Sequence, residues 1–453
     1  MYAGAAALAP SLQGLIACVE EGARPRRGDG AGERTQGRAG TGPGYGELLP
    51  AGPELALPAG FRYVKLGVEG SRMSDGRLTP RAHDGMAAFP LPNGHVRLIR
   101  NHEDRDTPRR ATLRGDPARA YDPRGGGGTT SLEIRVDEEG AAAPVLVRDF
   151  LSLSGTIVNC AGGPTPWRSW LSCEESAAGP GHGWDRAHGY VFEIPVSAEQ
   201  EVAAVPLKAL GRFVHEAVAV DPDSGIVYET EDQGRAGFYR FLPDRPGDLR
   251  AGGHLEMLAV KGQPQARLSR GQTVGELLPV EWVPIKDPDP ADAERHPDSV
   301  FRQGLARGAA RFSRLEGCWH GDGSVFFHST NGGDARAGQV WQYLPGRQAL
   351  TLAFESPSRR VLDSPDNITV SPRGGILICE DAFGTSHLRG LTPSGRIFDF
   401  ARNRLNRREF AGATFSPGGR VLFVNIQGDT RSWGPGNPGM TLAIWGPWEE
   451  GPL

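Results

Sequence analysis

No stretch of this sequence stays apolar long enough to cross a bilayer as a helix, so stable membrane insertion is not expected. A basic excess is missing too. Lysine and arginine number 50 against 54 aspartates and glutamates, for a net charge of −4. No basic stripe with interleaved aromatics occurs, which argues against a nucleic-acid partner. Cysteine is scarce: five in 453 residues, an odd number with no Cys-x-x-Cys pair. That excludes a disulfide framework and a zinc ribbon.

A positive segment is also lacking ahead of Tyr2–Ala17 (YAGAAALAPSLQGLIA), which otherwise reads as the apolar half of an export signal. A charged, twin-arginine segment upstream would supply it, and Leu15-Ile16-Ala17-Cys18 has some likeness to a lipoprotein processing box. Residues 24–46 are rich in Gly and Arg and read as a flexible linker. The expected organisation is a signal-like segment and linker over 1–46, then one domain over 47–453. The expected location is periplasmic or secreted.

Glycine (64) and proline (37) are abundant. Both interrupt helices and end strands, which predicts many short strands joined by turns. Six segments share one plan, starting at His83, Asn159, His215, Leu315, Pro365 and Phe410. Each has a polar residue, an alternating apolar run, a tight turn such as Asn93-Gly94 or Gly374-Gly375, a second run and another polar cluster. These read as β-hairpins. With further strands at 189–195, 237–243 and 339–345, they predict an all-β, six-bladed β-propeller. A long insertion, about 246–312 and helical in part, separates blades three and four.

In-phase hairpins carry their polar ends to one mouth of a propeller channel. The first polar positions are Asp84, Cys160, Glu216, Glu316, Asp366 and Ala411. The second are Glu103, Glu174/Glu175, Glu231/Asp232, Asn331, Glu380/Asp381 and Gln427. So many carboxylates in one place repel one another, and multivalent cations are the natural remedy. Carboxylate and amide oxygens suit calcium; a thiolate suits iron. Cys160 starts its run in a polar context, which favours a ligand, whereas Cys173, Cys318 and Cys379 sit inside apolar runs and read as core. His83, His102, His215, His320 and His387 read as hydrogen-bond partners near the mouth. Trp167, Trp170, Trp319 and Trp341 read as core. Arg311 and Arg314, just before Glu316, are placed to clamp an oxyanion.

At these residues the sequence resembles the PhoX-type bacterial alkaline phosphatases. The likeness is carried by NCAGGPTPWRSWLSCEES (159–176), GRFVHEAVAVDPDSGIVYETED (211–232), FSRLEGCW (312–319) and SPDNITVSP…ICEDAFG (364–384), within about residues 55–447. It implies an exported propeller that hydrolyses phosphate monoesters with two Fe3+ ions and several Ca2+ ions. By the resemblance, Cys160 is the thiolate ligand of iron and Glu216 and Glu316 are carboxylate ligands. Glu175, Glu231, Asp232 and Glu380 complete the metal shells, and Arg314 binds substrate phosphate. Glu174, Asp366 and Asp381 join the expected metal set from the hairpin phase. The partner expected is a small phosphate ester, and a monomer is expected. Two other readings fit the same mouth: a calcium-dependent lactonase, and a non-catalytic calcium-binding propeller.

Overall fold

The computed structural model describes residues 44–110, 113–137 and 142–453. The signal-like stretch 2–17 and most of the linker lie outside the described residues. The chain opens with β1 (Leu49–Pro50), β2 (Leu55–Leu57) and β3 (Arg62–Leu66). Then come β4 (His83–Pro90), β5 (Val96–His102), β6 (Gly127–Arg135) and β7 (Val145–Thr156). Next are β8 (Asn159–Pro164), β9 (Ser169–Glu174) and β10 (Val191–Pro195). β11 (His215–Val220), β12 (Val227–Glu231), β13 (Phe238–Pro243), β14 (Gly253–Val260) and β15 (Leu277–Pro284) follow. A short helix, α1 (Ser299–Ala306), leads to β16 (Leu315–Gly321), β17 (Ser324–Ser329), β18 (Gln339–Leu344) and β19 (Ala349–Glu355). Last are β20 (Pro365–Val370), β21 (Ile376–Glu380), β22 (His387–Leu391), β23 (Ile397–Asn403), β24 (Phe410–Phe415), β25 (Val421–Ile426) and β26 (Met440–Trp445).

All six anticipated hairpins form, each as an antiparallel pair: β4–β5, β8–β9, β11–β12, β16–β17, β20–β21 and β24–β25. The fold is all-β and propeller-like. Among the described residues its hydrogen-bonded sheets number five rather than six separate four-stranded ones. They are β4–β7, β8–β10, a nine-stranded sheet from β11 to β16, β1-β2-β23-β22-β21-β20, and β24-β25-β26-β3. The nine-stranded sheet arises because β15 pairs β14 along one edge (Leu258↔Trp282) and β19 along the other (Leu278↔Leu350). The 246–312 segment is therefore less helical than its sequence suggests. It supplies two strands and one eight-residue helix. Leu255, Met257, Val280 and Ile285 are buried there, so strand pairing hides more apolar surface than a free helix could.

The first strands of the six hairpins pack side by side in a closed ring, β4 to β8, β11, β16, β20, β24 and back to β4. The core lies between sheets, not at the axis. Phe238 stacks on Phe327 with centroids 4.1 Å apart, joining β13 to β17. Closure is made by distant segments. β3, from the start of the chain, pairs β26 near its end (Thr441↔Leu66). Tyr45 sits edge-on to Phe61 and Trp448, and its hydroxyl donates to the Leu453 carbonyl at 2.9 Å. Pairing β3 with β26 makes one sheet from segments far apart in the chain and so closes the ring.

Candidate metal centre

One local device recurs at the mouth of the ring. The hairpins β4–β5, β8–β9, β11–β12, β16–β17, β20–β21 and β24–β25 all shift register near the start of the inner strand, as between His83 and Met86 or Ala411 and Thr414. Such a bulge adds twist and re-aims a side chain. In four cases the residue just before the strand has left-handed backbone: Ala82 (φ 55°), Val158 (46°), Arg314 (46°) and Ser364 (53°). A non-glycine residue there is strained, and such strain gathers at functional sites. The amide that follows the second strand donates back to that residue's carbonyl. Glu103 donates to Ala82 (2.9 Å), Glu175 to Val158 (2.9 Å), Asp232 to Val214 (3.1 Å) and Thr330 to Arg314 (3.0 Å). Asp381 donates to Ser364 (3.0 Å) and Gln427 to Glu409 (3.2 Å). Thr330, not Asn331, therefore occupies the second position of the fourth hairpin.

The inner strands approach closely because small residues follow the polar ones. A Cβ on Gly85 would lie 2.6 Å from the Ala161 Cα, and one on Gly317 would lie 2.6 Å from the Asp366 carbonyl. With Gly162 and Gly412 they line a void of only about 20 Å³. The axis is thus nearly filled below the polar ring.

Three overlapping groups stand in that ring: Asp84 with Glu103 and Cys160; Cys160 with Glu175 and Glu216; Glu216 with Glu316 and Asp366. Within each, donor atoms lie within 4.8 Å of one another. Cys160 Sγ is 3.3 Å from Glu216 Oε1 and 3.7 Å from Asp84 Oδ1. Gln427 Nε2 donates to both Asp84 Oδ2 and Glu103 Oε2 at 2.7 Å. Asn425 Nδ2 donates to the Asp84 carbonyl at 2.5 Å. Burial pushes Asp84, Glu175, Glu216 and Glu316 well above the carboxylate range; neighbouring carboxylates push them further, against Arg105 at Glu175 and Arg314 at Glu316. Asp366 is pushed up to about 8 by burial, then by Asp381 and Glu103. The Cys160 thiol is raised by burial and by Asp84 and Glu216.

These residues fit a metal. The donors are carboxylate oxygens plus one thiol, and Glu216 Oε2 is buried with no hydrogen-bond partner. A cation between them would reverse each shift and satisfy that oxygen.

Alternation along the strand separates adjacent candidates. Glu175 and Asp232 face the ring, but Glu174 and Glu231 point into their sheets. Glu174 accepts from the amides of Ile157 (3.0 Å) and Gly189 (2.8 Å) and bonds His188 Nδ1 (2.7 Å). Glu231 Oε2 accepts from the Gly237 amide and the Tyr239 hydroxyl. Burial raises Glu231 to about 8. Glu380 accepts from the amides of Asp363 and His387 and from Arg389 Nε (2.8 Å). None of Glu174, Glu231, Asp232, Glu380 or Asp381 belongs to the three groups; Asp381 is at the exposed rim.

Arg314 stands over the ring. Its Nε and Nη2 donate to Asp232 Oδ1 and Oδ2 at 2.9 Å, and Nη2 also reaches Glu316 Oε1 at 2.8 Å. Its side chain keeps 43 % of its exposure. Two residues at the mouth escaped sequence reasoning. Arg105 bridges Glu103 and Glu175. Glu409 is raised by burial, then by Asp381, Asp366 and Asp84. Glu409 precedes Phe410 as Arg314 precedes Leu315, so the repeat itself held the signal. His320 lies at the far end of β16 beside Pro164 and Pro222, not at the mouth. Cys173, Cys318 and Cys379 are buried core, as are Trp170 and Trp341, while Trp167 is only partly buried.

Comparison with known proteins bears on the fold and the family. Among curated proteins no sequence matches. Among solved structures, Pseudomonas fluorescens PhoX in complex with vanadate, a transition state analogue, superposes with a TM-score of 0.66 at 18% identity. That match covers 90% of this chain and 98% of the other. A gluconolactonase of Xanthomonas campestris is more distant: TM-score 0.40, 13% identity, 88% and 99% covered. The family model for alkaline phosphatase PhoX matches residues 44–429, and the chain belongs to the PhoX alkaline phosphatase family of metal-dependent phosphate-monoester hydrolases.

Proposed function

We propose that Asp84, Glu103, Cys160, Glu175, Glu216, Glu316 and Asp366 hold the metal ions of a phosphate-monoester hydrolase, with Arg314 and Arg105 receiving the phosphoryl group. The observation that carries this reading is the overlap of the three donor groups through Cys160 and Glu216. Shared donors keep neighbouring cations close, as multi-cation hydrolysis requires. The thiol side of the ring suits iron and the all-carboxylate side suits calcium. Two Fe3+ and several Ca2+ is the complement we favour. Metal ions there supply Lewis acidity that neutralises phosphoryl charge and acidifies water.

The chain's own residues do the rest. Arg314 offers a planar fork of donors, partly exposed, to the equatorial oxygens of the ester. Asp232 holds that fork in place, making it a positioning residue. Arg105 balances Glu103 and Glu175 and keeps the near side of the mouth open to an anion. Without cations the carboxylates repel a phosphate, so the metal-free protein is inactive in this account.

The nine-stranded sheet supports a six-bladed description in which β15 is a strand shared by two blades, since six inner strands close the ring. Export to the periplasm or beyond is the location we infer, from the apolar N-terminal stretch and the family. No described helix is long and apolar enough to cross a membrane. Elemental analysis beside p-nitrophenyl phosphate turnover tests the function: loss of both iron and turnover on chelation is expected. Turnover that survives complete metal removal contradicts it.

A further inference from the structure

Beside the acidic ring lies a cavity of opposite character. It measures about 350 Å³, and its wall carries Arg235, Arg267, Arg270, Arg311 and Arg336, with Asn331 and Ser313. No carboxylate lines it. Among the described residues, Arg270, Arg311 and Arg336 make no ion pair, and Arg311 Nε is buried without a hydrogen-bond partner. Arg235 is the exception, reaching Asp298 at 3.2 Å. Arg267 Nε meets only the Ser269 hydroxyl, at 3.2 Å. Asp334, on the loop of Arg336, is turned to the Gly271 amide at 2.9 Å. Five guanidinium groups around one void repel one another unless an anion joins them.

The cavity abuts the catalytic mouth. Ser313 precedes Arg314, Asn331 follows the ring position Thr330, and Gly234 is two residues past Asp232. The Ser313 hydroxyl donates to Asn331 Oδ1 at 2.8 Å and Arg314's amide to the Gln233 carbonyl at 2.7 Å, so these walls are one connected surface. At about 3.5 Å per extended residue, one small molecule reaches both places.

Resting on the phosphatase reading, we propose that this arginine cavity is a subsite for a second phosphate on the leaving group, so that the preferred substrates are small esters carrying two or more phosphates. The cleaved phosphoryl group sits at the acidic, cation-bearing ring. The remaining phosphate is held by Arg270, Arg311 and Arg336. Charge-assisted contacts of this kind discriminate by about tenfold each where they are not screened.

The test compares fructose 1,6-bisphosphate with fructose 1-phosphate on the full-length, metal-loaded enzyme and on an Arg270→Gln/Arg336→Gln variant. The wild type should favour the bisphosphate in kcat/KM by about tenfold or more. The variant should lose that preference with p-nitrophenyl phosphate turnover unchanged. Equal kcat/KM for both sugars in the wild type, or a preference the variant retains, overturns the subsite. If neither protein hydrolyses any ester, the phosphatase reading has failed and calorimetric titration with inorganic tripolyphosphate decides the subsite alone. Binding to the wild type that weakens at least tenfold in the variant upholds it; equal or absent binding overturns it.

Discussion

Glu174 and Glu175 are neighbours in the chain with opposite assignments, and the difference is a matter of which way a strand turns its side chains. Glu174 is wholly buried against amides and His188. Glu174→Gln leaves those donors poorly matched and should cost about 3–5 kcal/mol of stability, the usual penalty for breaking a buried charge pair. Glu175→Gln should instead lower metal content and turnover at a small cost to the metal-free fold, because Arg105 keeps Glu103 as its partner and an amide stands in for a carboxyl already held high. Denaturant unfolding and metal analysis of both variants check this; equal destabilisation of the two contradicts the assignment. Arg314→Ala should reduce kcat/KM by about 100-fold or more, as loss of an oxyanion donor does, and lysine should restore only part because it lacks the fork. Sequence reasoning could name both members of each acidic pair but not choose between them. The choice depends on the bulge in the preceding strand, which has no residue signature. Thr330 was misplaced by one for the same reason.

At the scale of strands and loops, closeness is set by residues with nothing to say chemically. Gly85 lets β4 lie against β8, and Gly317 lets β16 lie against β20. Gly85→Ala should force the strand bearing Cys160 outward, with a loss of about 1–3 kcal/mol and a fall in bound metal. A Tm and metal content unchanged from wild type would show that the contact is slack. The loop between β9 and β10 holds a second device. Burial alone would lower His188, but Glu174 and Asp122 on either side raise it to about 9. Its folded value lies above the ordinary 6.5, so its stabilisation is full below pH 6.5 and is lost as pH rises through 9. Stability should fall by about 1.4 kcal/mol per pH unit across that window. His188→Asn should flatten the fall, measured by denaturant midpoints at pH 7 and 9; parallel curves for the two proteins contradict it. The six hairpins were legible because alternation and Asn-Gly or Gly-Gly turns are local signals. β15 was not, since its two partners lie far apart in sequence.

For the whole molecule, the fold concentrates charge that no single strand could hold. Five of the six inner strands bring Asp84, Cys160, Glu216, Glu316 and Asp366 to one end of a nearly filled axis, the residues just past β5 and β9 add Glu103 and Glu175, and five arginines stand beside them. The net charge of −4 conceals this separation, which is why composition alone gave no sign of the arginine cavity. Among the described residues the ring is closed by the pairing of β3 with β26 and by the Tyr45 hydroxyl on the Leu453 carbonyl. The central claim is that Cys160 binds metal at the heart of a phosphatase site. Iron content and p-nitrophenyl phosphate turnover of Cys160→Ser, read against wild type, test it most directly. The account predicts loss of iron and of turnover together, with an unchanged all-β circular dichroism spectrum. A Cys160→Ser protein that keeps its iron and full turnover would contradict it.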